Sequence, residues 1–86
     1  MKNINDLLKF DSNLREIRDL EDEIGVLEFE MEYLDELIET SGNDDEIEVL
    51  TEKYNKANLE RIQKALRKNR LEKEALMFEL DEATAE

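Results

Sequence analysis

The chain has 86 residues, contains neither cysteine nor histidine, and carries 25 acidic residues against 12 basic ones, for a net charge of −13. Disulfides and the usual histidine or cysteine zinc sites are therefore excluded. A chain this short hides too little surface to gain a large core of its own. We expect a single domain, residues 1–86, that is stabilised by self-association or by a partner chain.

The same composition limits location and ligands. No stretch approaches the ~20 apolar residues needed to span a bilayer, and the first residues lack the apolar core of a signal peptide. We therefore expect a cytoplasmic protein that does not enter a membrane. Its negative field repels nucleic acid and anionic lipid, so we expect no direct nucleic-acid binding, and it suits a basic protein partner. The simpler alternative is that the charge only confers solubility.

Apolar residues in the first half of the chain follow a heptad repeat. The a positions are Phe10, Ile17, Ile24, Met31 and Ile38, and the d positions include Leu20, Leu27 and Leu34. This repeat predicts a coiled-coil helix over about residues 4–40, which Asn3 or Asn5 can cap.

A turn signal follows at residues 41–43. Gly42 is expected to take the left-handed conformation that ends a helix. Asn43 can cap the next helix, with Glu46 completing a capping box. So short a connection folds the second helix back antiparallel to the first.

The second helix is predicted over about residues 44–81, with a frayed acidic tail at 82–86. Its apolar seam begins with Ile47, Leu50, Tyr54 and Ala57. We expect it to resume out of phase after a stutter near Ala57. The resumed seam would comprise Leu59, Ile62, Leu66, Asn69, Lys73, Leu76 and Leu80. The predicted fold is all-α, an antiparallel two-helix coiled-coil hairpin that dimerises into a four-helix bundle.

Apolar residues outside the two seams predict an interface with another chain, since each helix of an isolated pair buries a single stripe. Gly25 lies among them, where a close approach by another helix would explain a residue unfavourable inside a helix. The alternative is a tolerated surface glycine. The predicted interface comprises Leu14, Gly25, Val26, Phe29, Tyr33, Leu37, Leu71 and Phe78.

Three polar residues fall on the predicted seams far from the turn. If they meet, Asn13, Asn69 and Lys73 form a polar layer that fixes register and partner number. Solvation of the open end is the alternative.

Charge is distributed unevenly along the chain. Residues 19–52 hold fifteen acids and no Lys or Arg, residues 53–73 hold eight basic residues and two acids, and residues 74–86 hold five acids. Pairing between the acidic and basic stretches would favour the antiparallel hairpin. The predicted acidic surface comprises Glu21, Asp22, Glu28, Glu32, Asp35, Glu36, Glu39, Asp44 and Asp45.

These features predict a non-enzymatic protein-interaction module that self-associates and binds a partner through the extra apolar stripe and the acidic turn end. No phosphate loop, nucleophile–base pair or metal-ligand spacing is present, so we expect no catalytic residue, cofactor or metal. The alternative function is a small acidic inhibitor, of the phage anti-defence type, that mimics nucleic-acid charge and blocks a nucleic-acid-binding enzyme.

Overall fold

The computed structural model describes the backbone of residues 3–84 and the side chains of residues 3–81. Within that range, helix α1 spans Ile4–Thr40 and helix α2 spans Asp44–Thr84. The two helices lie antiparallel and form a rod of 65 × 15 × 14 Å. The all-α hairpin predicted from the sequence is confirmed. Residues 82–84 of the predicted frayed tail continue α2, whereas 85 and 86 lie outside the described residues.

Asparagine side chains begin both helices. Asn3 caps α1 and forms a reciprocal capping box with Asp6, in which the Asp6 amide donates to Asn3 Oδ1 at 2.9 Å. At α2 the amides of Asp45 and Glu46 both donate to Asn43 Oδ1. These bonds satisfy amides that have no partner in the first helical turn. The short turn is therefore specified locally by its own polar side chains.

The turn does not use the predicted glycine conformation. Ser41 caps the end of α1 in an extended conformation, and its amide donates to the carbonyl oxygen of Leu37 at 3.0 Å. Among residues 3–84 no residue has a positive φ, so the prediction of a left-handed Gly42 is wrong. The chain leaves α1 through extended backbone instead, and the Asn43 amide donates to Ser41 Oγ rather than completing a capping box with Glu46.

The core is a single row of side chains between the helices. The α1 seam lies where the heptads predicted it, with its leucines buried and the alternate apolar positions half-buried. The buried residues of the described part of the chain are Leu20, Leu27, Leu34, Leu50, Ala57, Leu71 and Ala75. A core this narrow buries one stripe of each helix and leaves the remaining faces in solvent.

The α2 seam keeps one heptad phase from Ile47 to Phe78, so the predicted stutter is wrong. After Ala57, the buried and half-buried positions continue at alternating spacings of three and four residues, through Arg61, Lys64 and Lys68 to Leu71. The predicted seam residues of this region, Leu59, Ile62, Leu66, Leu76 and Leu80, are exposed.

Basic side chains maintain this phase. Lys64 Nζ lies 3.0 Å from Glu23 Oε2, and Lys68 Nζ lies 3.6 Å from Glu21 Oε1. The long aliphatic stems can therefore cover the α1 leucines while the charged ends reach carboxylates at the rim. Because the α1 heptads run without interruption, a phase shift in α2 alone would separate the two stripes. The unbroken phase is the arrangement that keeps both in contact.

Candidate interaction surfaces

Three large apolar residues lie on the face of α1 that points away from α2. Val26, Phe29 and Tyr33 are 67%, 76% and 57% exposed, and we call them the α1 outer face. At 100° per residue they centre about 160° from the α1 seam. The hairpin therefore cannot cover them with its own second helix. Large exposed aromatic groups on one stripe are typical of an interaction surface.

Gly25 lies beside the α1 outer face. It is exposed, and a Cβ atom built at this position would meet no atom within 4 Å. Nothing among the described residues requires a glycine at this point of the helix. The close approach that was predicted to explain it therefore has to come from outside the hairpin, and an inert surface glycine remains the alternative.

The other predicted interface residues are not part of this face. Leu71 is buried in the hairpin seam, because α2 keeps its phase, so its assignment to an external interface is wrong. Phe78 is half-buried and stacks on Phe10, with ring centroids 4.4 Å apart. Leu37 is half-buried. Leu14 is exposed and lies beside a groove at the open end of the hairpin, the end away from the turn, that Ala75 and Leu76 also line.

The hairpin does not bring the predicted polar layer together. Half-buried Asn13 donates through Nδ2 to Glu74 Oε2 at 3.3 Å, whereas Asn69 and Lys73 are exposed. The unbroken α2 phase explains this outcome, because it places Asn69 and Lys73 outside the inner seam. Asn69 and Lys73 belong instead to the exposed side of α2.

Sequence reasoning missed a second external apolar face. The residues assigned to the phase-shifted seam form a continuous outward stripe with the spacing of heptad a and d positions. We call it the α2 outer stripe, and it comprises Leu59, Ile62, Leu66, Asn69, Lys73, Leu76 and Leu80. The two 3–4 patterns of α2 were both visible in the sequence. What the sequence did not show was that Arg61, Lys64 and Lys68 would occupy the inner one.

The acidic residues are exposed at the turn end. All nine predicted members of the acidic surface are exposed. Glu21 pairs with Lys68, and the other ion pairs of the described side chains involve Asp11, Glu16, Glu23 and Glu72. The acids between residues 28 and 52 therefore have no ion pair within the part of the chain described, and the turn end keeps its negative charge.

The described residues show neither a metal-binding cluster nor a membrane-spanning helix. No group of three or more acidic side chains is placed to hold a metal ion. Neither helix, as described, is long and apolar enough to cross a membrane. Comparison of the chain with protein-family models, curated proteins and solved structures gives no match.

Proposed function

We propose that this protein is a non-enzymatic interaction module that self-associates and binds a partner protein through the α1 outer face and the acidic turn end. The observation that carries the proposal is the exposure of Val26, Phe29 and Tyr33 on one stripe that α2 does not cover. An amphipathic groove or helix on a partner could bury this stripe in the way that helix-in-groove complexes do.

The acidic turn end supplies the polar part of the proposed surface. Asp35, Glu36 and Glu39 follow the α1 outer face along the same helix, and Asp44 and Asp45 begin α2 beside them. Charges at the rim of an interface mainly raise the association rate and select partners of opposite sign. The proposed partner is therefore a protein that offers an apolar groove bordered by basic residues.

Replacing Phe29 by alanine is expected to weaken partner binding by about 10-fold or more, since buried aromatic anchors often contribute above 1–2 kcal/mol. The measurement is affinity capture from the native host, followed by titration of the recovered protein against purified wild type and variant. Val49→Ala is the matched control, because Val49 is an exposed apolar residue of α2 outside both external stripes. Equal retention of the partner by wild type and Phe29→Ala would refute the role of this face.

Replacing Gly25 by alanine separates the two explanations of the glycine. Alanine is expected to stabilise the hairpin by about 0.5–1 kcal/mol, since its Cβ meets open space and glycine is unfavourable inside a helix. If a partner approaches closely here, the same change weakens partner binding. Urea unfolding and the binding titration measure the two effects, and a stabilised variant with unchanged affinity would identify an inert surface glycine.

A second candidate function is suggested by the unpaired carboxylates between residues 28 and 52. Carboxylates spread along a rod could imitate the charge spacing of DNA and block a basic nucleic-acid-binding groove. Such binding depends on carboxylates and weakens steeply with salt, whereas binding through the α1 outer face tolerates salt. Retention of a captured partner at high salt therefore favours the apolar surface, and loss of it together with tolerance of Phe29→Ala favours charge mimicry.

A further inference from the structure

The α2 outer stripe has the heptad spacing of a coiled-coil seam, and its large apolar side chains are exposed to solvent. Leu59 and Leu66 are 57% and 59% exposed, and Ile62, Leu76 and Leu80 are also exposed large hydrophobics. The stripe centres about 150° from the α2 seam, at 100° per residue, so its middle line points away from α1. Near the open end, Asn69, Lys73 and Leu76 also border the groove that Leu14 lines. Seven successive positions at alternating spacings of three and four make this face suited to another long helix rather than to a compact ligand.

Self-pairing in the antiparallel direction matches the stripe with itself. In such a pair each a position faces a d position of the other helix, and one register places residue numbers that sum to 142 opposite each other. Leu66 then faces Leu76 of a second copy, and Ile62 faces Leu80. The two polar positions also coincide, since Asn69 faces Lys73 and its side-chain oxygen can accept from the ammonium group. Parallel pairing would instead place Lys73 against its own copy.

The charge distribution of α2 favours the same direction. Residues 53–73 hold eight basic residues and two acids, and residues 74–86 hold five acids and no basic residue. The antiparallel register lays the acidic segment of each copy along the basic segment of the other, within about one Debye length. The parallel direction would place segments of equal charge side by side.

The register also separates the most acidic parts of the two molecules. It overlaps α2 from about residue 58 to its end, so residues 44–57 and the turn project beyond the overlap at opposite ends of the dimer. Parallel pairing would bring the two turns together, each with unpaired acids between residues 28 and 52. Repulsion between like charges thus opposes the parallel dimer.

From the matching of apolar positions and the matching of charge we infer that the α2 outer stripe docks a second copy of this chain. The two α2 helices pair antiparallel, with the two-fold axis level with residue 71 along the helix. The inference rests on the self-association part of the proposed function and specifies its surface. The α1 outer face lies on the opposite side of each hairpin and is left free, so the dimer presents two copies of it.

The first test replaces Leu66 by aspartate. We expect dimer affinity to fall by about 100-fold or more, since each dimer would bury two unpaired carboxylates. Val49→Asp is the matched control, since Val49 is a similarly exposed apolar residue of α2 outside both external stripes, and it should leave dimer affinity unchanged. Sedimentation equilibrium gives the affinities, and circular dichroism verifies that the helices remain. Leu76→Asp repeats the test should Leu66→Asp not fold.

The second test determines direction with single cysteines, which the native chain lacks. A mixture of Asn69→Cys and Lys73→Cys should form the mixed disulfide faster than either variant forms its own, because like residues are offset by about 6 Å along the axis. Faster self-linking of each variant would establish a parallel dimer and overturn the inference.

The outcomes separate this inference from the proposed function. Loss of the dimer in Phe29→Asp but not in Leu66→Asp overturns the assigned surface while self-association stands. A wild-type chain that stays monomeric overturns both the surface and the self-association part of the proposed function, and partner capture by the α1 outer face is then judged separately.

Discussion

Replacing Leu27 by alanine is expected to destabilise the hairpin by about 2–4 kcal/mol. Leu27 is only 8% exposed and lies at the centre of the α1 seam, where the thin rod has no further layer to fill a cavity. A chain of this size typically has a free energy of unfolding of about 5–15 kcal/mol, so the loss is a large fraction of the total. Urea unfolding followed by circular dichroism measures it, at fixed protein concentration because association contributes to stability.

Val26→Ala is the matched control, because Val26 is adjacent to Leu27 on the same helix but points about 100° away from it and out of the seam. Val26 is exposed on the α1 outer face, so its truncation should change the free energy of unfolding by no more than about 0.5 kcal/mol. Similar losses at the two positions would show that the α1 outer face is covered within the folded chain, contrary to the structure described above.

Replacing both Lys64 and Lys68 by leucine is expected to stabilise the hairpin by about 1–2 kcal/mol. Both lysines occupy inner seam positions of α2, and their ion pairs with Glu23 and Glu21 are partly exposed and worth about 0–1 kcal/mol each. Leucine would lose these pairs but bury apolar area against the α1 leucines, at about 25 cal/mol per Å². Thermal and urea unfolding measure the gain.

The pair Lys53→Leu and Lys56→Leu provides the comparison, since both of these lysines are exposed on α2 outside the seam. It removes the same charge and should leave stability within about 0.5 kcal/mol of wild type per residue. The unbroken phase of α2 would be contradicted if the double variant Lys64→Leu/Lys68→Leu were less stable than wild type. It would also be contradicted if this variant and the comparison pair had the same free energy of unfolding.

Much of the fold follows from local signals that do not depend on tertiary context. The heptads from Phe10 to Ile38 and the cap at Asn43 predict two helices, their direction and the position of the turn. The turn backbone was less predictable. Gly42 permits a left-handed conformation but does not require one, and hydrogen bonds from Ser41 and Asn43 stabilise the extended alternative.

The phase of α2 after Ala57 was not predictable from hydrophobicity alone. Two stripes with the same spacing compete there, and the more apolar one, with Leu59, Ile62 and Leu66, faces solvent. Counting apolar side chains favoured the wrong stripe, because lysine and arginine carry aliphatic stems that pack as well as charges that pair. Continuity with the uninterrupted α1 seam was the signal that could have found the correct phase.

The error in phase also explains which surface residues were missed. Because the residues of the α2 outer stripe were assigned to the hairpin seam, they were not recognised as an external face. For the same reason Leu71 was assigned to the external interface. The α1 outer face was found because it lies beside a seam with no competing phase. In the arrangement proposed above, the hairpin is a connector, with one side for a second copy and the opposite side for a partner protein.

Light scattering of the wild-type chain over a range of concentrations tests most directly the claim that the hairpin leaves apolar faces for other chains. We expect a mass that rises from that of one 10.2 kDa chain to twice that value and then stays constant. A folded chain that keeps the mass of a single copy throughout would contradict it, since the α2 outer stripe would then remain in water.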